Sequence, residues 1–478
     1  IGKSPVRHDG TDKVTGRALY GADMNLPGML YGKVLRSPHP HARIKSIDIS
    51  KLKDHPDCKA IVTSNDLAPS PEVTKEPLYG QVRITNVLAA DKVLYKGHPI
   101  LAIASDSPDA AEELLSLVDI EFEVLKSSSN VEEAISKDSD IIHENWEKTK
   151  DVYDVNPNGT NIGTVEVYKL GDATEALKKS EHIIEREFRT KTVHQGYIEP
   201  TNGTAWWRPN DRLTIWCSSQ GHFGIRDSVA MVLGIPSSQI TVIPMEIGGG
   251  FGGKLSAYLE PLAAILSKKS GLPVKMTMSR SEVLESTGPT SGSYQKITMG
   301  YNSKGEINAA KAIMMLEAGA FPGAPVSGAA SAIFSPYEIN DVHIDGYDIV
   351  TNKPKTTAYR APGSPISMFA VESMINEIAE IVGVDPVELR IINAAKKGTR
   401  RADGVINGTI GAVDVMESIR NHPHYSMPLP EGEFVGRGIS LGFCRNNAGV
   451  SSVVSNMLTD GSFSLTEGSV DIGGSRTA

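Results

Sequence analysis

The run Gly248-Gly249-Gly250-Phe251-Gly252-Gly253-Lys254 is the segment whose residue types most plainly suit chemistry. Read as G-x-x-x-x-G-K, it invites a phosphate loop, in which backbone N–H groups at a helix N-terminus cradle phosphates and the lysine meets the terminal one. That loop needs a hydroxyl after its lysine to hold magnesium. Here Leu255 stands in that place and Ser256 comes one position late, ahead of a helix expected to start near Ser256. No apolar strand ending in an acid stands out as the second half of such a site. A tight packing turn is the plainer alternative, yet five glycines around one phenylalanine exceed what a turn needs. They let the backbone approach a bulky ligand closely while Phe251 presents a face to it.

Two other segments offer polar groups beside helix starts. Ser218-Ser219-Gln220 closes a strand and precedes a helix that includes Ser228 to Pro236. An amide at a strand end is ordinarily a surface group. Thr357-Ala358-Tyr359-Arg360-Ala361-Pro362-Gly363 also precedes a helix. A guanidinium there can pair with a substrate oxygen and stabilise developing negative charge, although a solvated arginine is the ordinary reading of such a loop. His39 and His41 lie two residues apart in a proline-flanked loop with no third ligand, which points to structural use rather than a metal.

The elements that must position these residues read as α+β. From Gly16 to about Leu125 strands are expected at Ala18–Tyr20, Met29–Val34, Ala42–Ile49, Lys59–Thr63, His98–Ala104 and Asp119–Val124. Pro108 opens a helix over Ala110–Leu117. Residues 126–162 read as a linker rich in Ser, Asn and Asp. A larger mixed unit over 163–420 follows, with strands at Leu213–Cys217, Ile240–Pro244, Lys275–Met278 and Gln295–Tyr301. Its helices are expected near Ile225–Leu233, at Ala257–Ser267 and from Pro365 to Val382, the last capped by Gly383, and Asp385-Pro386 starts another. Residues 421–478 end in a strand that runs into a glycine turn.

Composition narrows the function classes. Lys and Arg number 48 against 57 Asp and Glu, a net charge of −9, and the basic residues are scattered, so nucleic acid and anionic membranes are not expected partners. The three cysteines, Cys58, Cys217 and Cys444, are too far apart for a CxxC pair, an iron–sulfur cluster or a thiolate zinc site built by this chain alone. With no signal-like run and no apolar span, the cytoplasm is the expected compartment.

Gly248 to Lys254 is similar to the molybdenum-facing loop of the xanthine dehydrogenase/aldehyde oxidase family. Gln220, Arg360, Gly383-Val384-Asp385-Pro386-Val387-Glu388-Leu389-Arg390 and His194 to Pro200 stand where that family has matching segments. Gly16 to Asp23 and Arg36 to Ile44 resemble its small hammerhead domain. The resemblance implies a hammerhead-like α/β domain over 1–125, then the first molybdopterin-binding domain over 163–420 and, over 421–478, the start of a second one that is expected to be truncated. It implies that Gly249, Gly250, Phe251 and Gly252 line a molybdopterin cofactor, in its dinucleotide form, with no side chain binding the metal directly. Gln220 would hydrogen-bond an oxygen ligand of molybdenum, Arg360 would be catalytic and also touch cofactor, and Glu199 would be a structural acid. The implied reaction hydroxylates an aldehyde or N-heteroaromatic carbon with water as oxygen source.

The same resemblance implies partners. Electrons would leave through 2Fe-2S clusters to FAD on an iron–sulfur subunit and an FAD subunit. The general base and most dinucleotide contacts would lie in a second half of the molybdopterin subunit, so the chain alone is expected to be inactive. Four departures bear on substrate and cofactor. Leu255 replaces an acid that purine-oxidising members carry, Ala361 replaces the cysteine of carbon monoxide dehydrogenases, Ile366 replaces a glutamine, and Gly473-Gly474-Ser475 replaces Met-Gly-Gln-Gly. A non-catalytic assembly module remains the alternative from another class, with a nucleotide-binding phosphate-loop protein behind it.

Overall fold

The structure is a computed structural model that describes residues 6–68, 84–144, 161–444, 449 and 452–472. The Gly473-Gly474-Ser475 departure therefore lies outside the described residues. The first third of the chain contributes β1 (Leu30–Arg36), β2 (Ala42–Asp48), β3 (Ala60–Val62), β4 (Lys92–Val93), β5 (Pro99–Ser105) and β6 (Asp119–Val124). Next come β7 (Ile162–Leu170), β8 (His182–Thr190), β9 (Asn202–Trp207), β10 (Leu213–Cys217), β11 (Ile240–Pro244) and β12 (Val274–Thr277). The last group is β13 (Ser293–Tyr301), β14 (Ile307–Gly319), β15 (Asp341–Val350), β16 (Val453–Met457) and β17 (Phe463–Glu467).

The N-terminal region, expected to be hammerhead-like, does not close on its own. Its β1, β5 and β3 continue a seven-stranded sheet in the order β11-β10-β9-β12-β1-β5-β3. The seam is a parallel pairing of β1 with β12 that sets Leu30 opposite Val274. All seven residues of β5 are buried, which accounts for its unbroken apolar sequence, as expected of a strand covered on both faces. β4, β2 and β6 form a separate three-stranded sheet. The helix Pro108–Leu115 begins where expected, because the Ser107 hydroxyl accepts the Ala110 amide at 3.1 Å with proline in the first turn.

β7, β15, β14, β13 and β8 form a five-stranded sheet in that order. Met368, Val371, Met374, Ile375 and Ile378 recur at helical spacing along the helix Ser364–Val382 and pack on Ile297, Met299, Met314, Leu316 and Ile344 of this sheet. The helix ends on Gly383, left-handed at φ 70°. The two regions meet around Phe321. His98 and His143 set their rings 6.3 and 5.4 Å from it, and Tyr95 stacks on His98 at 4.5 Å.

Two expectations fail locally. Ala18–Tyr20 is not a strand: only Tyr20 bridges to Glu246, and a short 3-10 turn over Gly21–Asp23 follows because the Asp23 carboxylate accepts the Tyr20 amide. The helix expected from about Ser256 begins at Glu260, whose carboxylate folds back to accept the amides of Tyr258 and Leu259 at 2.9 and 3.1 Å. Within the stretch read as linker, residues 126–144 are described and include a short helix, Val131–Ala134.

Candidate active site

Glu199 anchors the glycine loop at both ends. Its carboxylate accepts the Gly248 amide at 2.7 Å, the Lys254 ammonium at 2.7 Å, the Asn202 side-chain amide at 3.1 Å and the Ser218 hydroxyl. Burial pushes the carboxyl group up, but the charge and hydrogen bond of Lys254, with Ser218 and the Gly248 amide, outweigh burial and hold it below its ordinary value. Lys254 moves down, because burial costs its ammonium more than one carboxylate returns. The two directions agree, since among the described residues the carboxylate has four donors and the ammonium one acceptor.

Only 2% of the Lys254 side chain is exposed, and its ammonium lies 5.0 Å from the centre of the Tyr197 ring. The lysine thus faces inward, and the next helix starts six residues beyond it at Glu260. The phosphate-loop reading needs an outward lysine on a loop that feeds straight into a helix, and this geometry supplies neither.

Gln220 follows β10 and ties the loop from the other side. Its Oε1 accepts the amides of Gly252 at 2.8 Å and Lys254 at 3.2 Å, and its backbone amide donates to the Lys254 carbonyl at 3.0 Å. A Cβ on Gly250 would lie 2.5 Å from that Oε1, so glycine is required for this approach. With Oε1 committed inward, Nε2 is left as a donor with no partner among the described residues. The Gly252 amide is likewise spent on Gln220, so the loop amides without a hydrogen bond among the described residues are those of Gly249, Gly250 and Phe251.

The third segment docks on the loop's far side. The Arg360 amide donates to the Phe251 carbonyl at 2.9 Å. Gly252, at φ 107°, lies so close to Ala358 that a Cβ there would come within 2.3 Å of its carbonyl oxygen. That carbonyl is fixed by Gln195, a buried residue whose Nε2 donates to Ala358 O at 2.9 Å, Gly288 O at 3.0 Å and Thr357 Oγ1 at 3.2 Å. Three non-glycine residues have positive φ among the described residues: Asp211, Phe251 and Ala361. Asp211 sits in a tight turn that suits it, whereas Phe251 at 53° and Ala361 at 67° flank the Arg360 contact. Each costs about 1–3 kcal/mol and persists only where the surroundings over-determine it, a pattern that clusters at functional sites.

All the residues proposed from sequence thus converge: Gln220 on Gly252, Gly250 under Gln220, and Arg360 on Phe251. Phe251 is 48% exposed, and Leu255 and Arg360 are also exposed, so among the described residues this wall is open on one side. Gln195 was missed. Its only sequence signal is its place in the same run as Glu199. His39 and His41 serve packing: His39 meets Phe122 edge-on at 5.0 Å, and buried His41 engages the Lys126 carbonyl at 2.6 Å.

Among the described residues no three of His, Cys, Asp and Glu gather as a metal-binding set. A metal here would have to arrive with its own ligands. What the chain places here are neutral N–H donors from Gln220 and the loop, a set that suits anionic oxygen and sulfur atoms carried by such a group, while Arg360 is held by its backbone amide with its side chain exposed.

Residues 155–394 match the family model of the molybdopterin cofactor-binding domain, and residues 15–126 that of the aldehyde oxidase and xanthine dehydrogenase a/b hammerhead domain. The chain belongs to the xanthine dehydrogenase/aldehyde oxidase family. Among relatives, the nicotinate dehydrogenase large molybdopterin subunit of Eubacterium barkeri is 30% identical over 424 residues, covering 88% of this chain and 95% of that protein. The xanthine dehydrogenase molybdenum-binding subunit of Escherichia coli is 30% identical over 402 residues, covering 82% of this chain and 52% of that protein. Of solved structures, the aldehyde oxidoreductase of Desulfovibrio gigas shares the fold at TM-score 0.78 and 24% identity, over 87% of this chain and 45% of that one. This family member therefore spans nearly all of the Eubacterium protein and about half of the other two. Its fold is α+β, a hammerhead region followed by the larger molybdopterin-binding domain. Among the described residues no helix is long and apolar enough to cross a membrane.

Proposed function

We propose that this chain is the front part of the molybdenum-binding subunit of a hydroxylase that oxidises an aldehyde or N-heteroaromatic carbon with water as oxygen donor. One observation carries the reading: Gln220, the Gly249 to Gly252 backbone and Arg360, drawn from three distant segments, are hydrogen-bonded into one wall through Gly252 N and Phe251 O. When bound, a molybdopterin cofactor, in its dinucleotide form, supplies the two-electron oxidation of the substrate carbon. Gln220 donates from Nε2 to an oxygen on that group, and its orientation is fixed because a flipped amide would face two N–H donors. The Gly249, Gly250 and Phe251 amides donate along the same wall. Arg360 holds a substrate oxygen and stabilises negative charge that develops there. Exposed Phe251 and Leu255 give the pocket an apolar side, which favours a flat aromatic or aldehyde substrate over a purine that needs an acid.

The general base and the remaining cofactor contacts come from a second half of the molybdopterin part, and 2Fe-2S and FAD groups on partner subunits take the electrons in the cytoplasm. The chain alone is inactive on this reading. The Eubacterium relative, named a large molybdopterin subunit and matched along 95% of its length, favours a molybdopterin part divided between two polypeptides. The test is metal analysis of the complex purified from its own cell, followed by turnover of an aldehyde and of nicotinate with a dye acceptor in 18O-water. Stoichiometric molybdenum and label in the product are expected. A metal-free complex sinks the reading and leaves an assembly module.

A further inference from the structure

Asp348 lies on β15 with no exposed surface, within the five-stranded sheet, and takes no part in the wall described above. Aspartate is a poor strand residue, and a carboxylate taken wholly out of water persists only where partners satisfy it. The strand is irregular at this point: its register against β7 shifts between Tyr347 and Ile349, and such bulges re-aim a side chain. The carboxylate meets the loop after β14, where it accepts the Gly323 amide at 2.7 Å and the Ala324 amide at 3.2 Å. Gly163 on β7 makes room for it, since a Cβ there would lie 3.0 Å from Asp348 Oδ2. The Thr164 side chain hydrogen-bonds it and the Lys355 charge acts on it. That ammonium also covers Gly323, where a Cβ would lie 2.9 Å from Lys355 Nζ. Burial pushes the Asp348 carboxyl group up to about 6, with the two amides, Lys355 and Thr164 pulling against burial, so the group is charged at neutral pH.

What Asp348 holds is the seat of the arginine turn. Ala324 and Pro325 lead into the helix Val326–Ala332, and the Ala329 amide donates to the Pro325 carbonyl at 2.9 Å. The turn Arg360–Gly363 rests on that helix start with bare backbone. A Cβ on Gly363 would lie 2.4 Å from Ala329 N and 2.8 Å from Pro325 O, and one on Gly328 would lie 2.7 Å from Pro362 O. Ala361 and Gly363 both have positive φ, at 67° and 86°, so the shape of the turn is imposed by what it rests on. Lys355 lies in the segment that leads into the same turn.

We propose that Asp348 is a positioning residue for Arg360: by holding the Gly323 and Ala324 amides and facing Lys355, its carboxylate fixes the seat under Arg360–Gly363 and so sets where the guanidinium meets the substrate oxygen. The proposal rests on the functional reading above and adds to it a residue that touches neither cofactor nor substrate. An acid that merely stabilised the fold would act on the whole sheet, whereas a positioning acid acts on one turn.

The first readout is hydrogen exchange by mass spectrometry on the full chain. Asp348→Asn keeps the shape but leaves one oxygen for two amides. Residues 323–329 and 358–363 should then exchange at least about tenfold faster, while β13 and the interior of the helix Ser364–Val382 keep their protection. Lys355→Met, at a partly exposed position, is the second variant and should act on the same two segments by about threefold. In the purified complex Asp348→Asn should raise KM for benzaldehyde or nicotinate about tenfold, more than it lowers kcat, with molybdenum content unchanged. In an Arg360→Met background it should add nothing. Unchanged exchange over 358–363 in either variant, equal loosening of β13, or a KM penalty that adds to that of Arg360→Met would overturn the proposal. A complex without molybdenum, or Arg360→Met turning over like the wild type, refutes the functional reading, and the exchange result still decides whether Asp348 holds the turn.

Discussion

The glycine loop and the C-terminal hairpin are built to opposite rules. Around Gly248–Lys254 the inner polar groups are committed: Glu199 holds both ends, Gln220 holds the middle, and Gln195 braces the neighbouring Ala358 carbonyl. In the hairpin of β16 and β17, the strands bond to each other and, among the described residues, all their side chains are exposed. The difference teaches that, among the described residues, buried polar contacts hold the loop from several distant segments, whereas only its own ladder holds the hairpin. Local stability follows the same division, since regions with few buried contacts open at low free energy.

Glycine replacements break this comparison most directly. In Gly252→Ala the new methyl would sit 2.3 Å from the Ala358 carbonyl at φ 107°, and the carbonyl cannot yield because Gln195 holds it. A loss of about 3 kcal/mol is expected, read as a melting shift of several degrees, together with loss of molybdenum from the complex. Gly461→Ala also carries a positive φ, 81°, but its Cβ would meet nothing within 4 Å. It should cost only the backbone strain, about 1 kcal/mol, and keep the metal. Equal effects from the two variants would show that the loop is no more constrained than the hairpin turn.

Gln195→Leu removes three hydrogen bonds at once. Gly288 O keeps the Thr357 hydroxyl at 2.8 Å, so the Ala358 carbonyl alone is orphaned, at a cost of about 2 kcal/mol. Because that carbonyl sits two residues before Arg360, KM should rise more than kcat falls in the active complex, which steady-state kinetics would separate. An unchanged KM would make Gln195 a packing residue only.

These outcomes also mark how far the sequence could be read. Gln220, Phe251 and Arg360 were legible through the likeness of their short runs to the family's segments, since a lone amide or arginine beside a helix start is ordinarily a surface group, and the structure brings those runs together. The helix Ser364–Val382 was legible from its apolar stripe and glycine cap. β8 was not, because its Glu-Arg-Glu-Phe-Arg pattern belongs to a largely exposed edge strand whose identity comes from pairing with β13. The late start at Glu260 was hidden because a carboxylate buried at its own helix start overrides the apolar spacing upstream. No periodicity announces that β1 will join β12, since that seam links residues far apart in the chain.

The junction around Phe321 gives a pH test. Burial pushes both His98 and His143 down to about 4. An unfolded histidine titrates near 6.5, so both contributions are fully present above that value and are lost progressively as pH falls towards 4. At about pH 5.5 the loss should be on the order of 1 kcal/mol per histidine, visible as a lower melting temperature. His98→Asn should flatten the slope, while the hairpin, which holds no histidine, should show no change in hydrogen exchange beyond the intrinsic pH effect. An unaltered slope in the variant would remove His98 from this account.

Smallest of all should be the effect of Leu465→Ser on the isolated chain. The side chain is 68% exposed, so its loss should stay within about 0.5 kcal/mol by denaturant titration. Leu316→Ala, at a fully buried position on the five-stranded sheet, should cost about 2–5 kcal/mol in the same experiment. The ratio is the informative quantity. If Leu465→Ser approached the core value, the hairpin would be packed against this chain in solution and the contrast with the glycine loop would vanish.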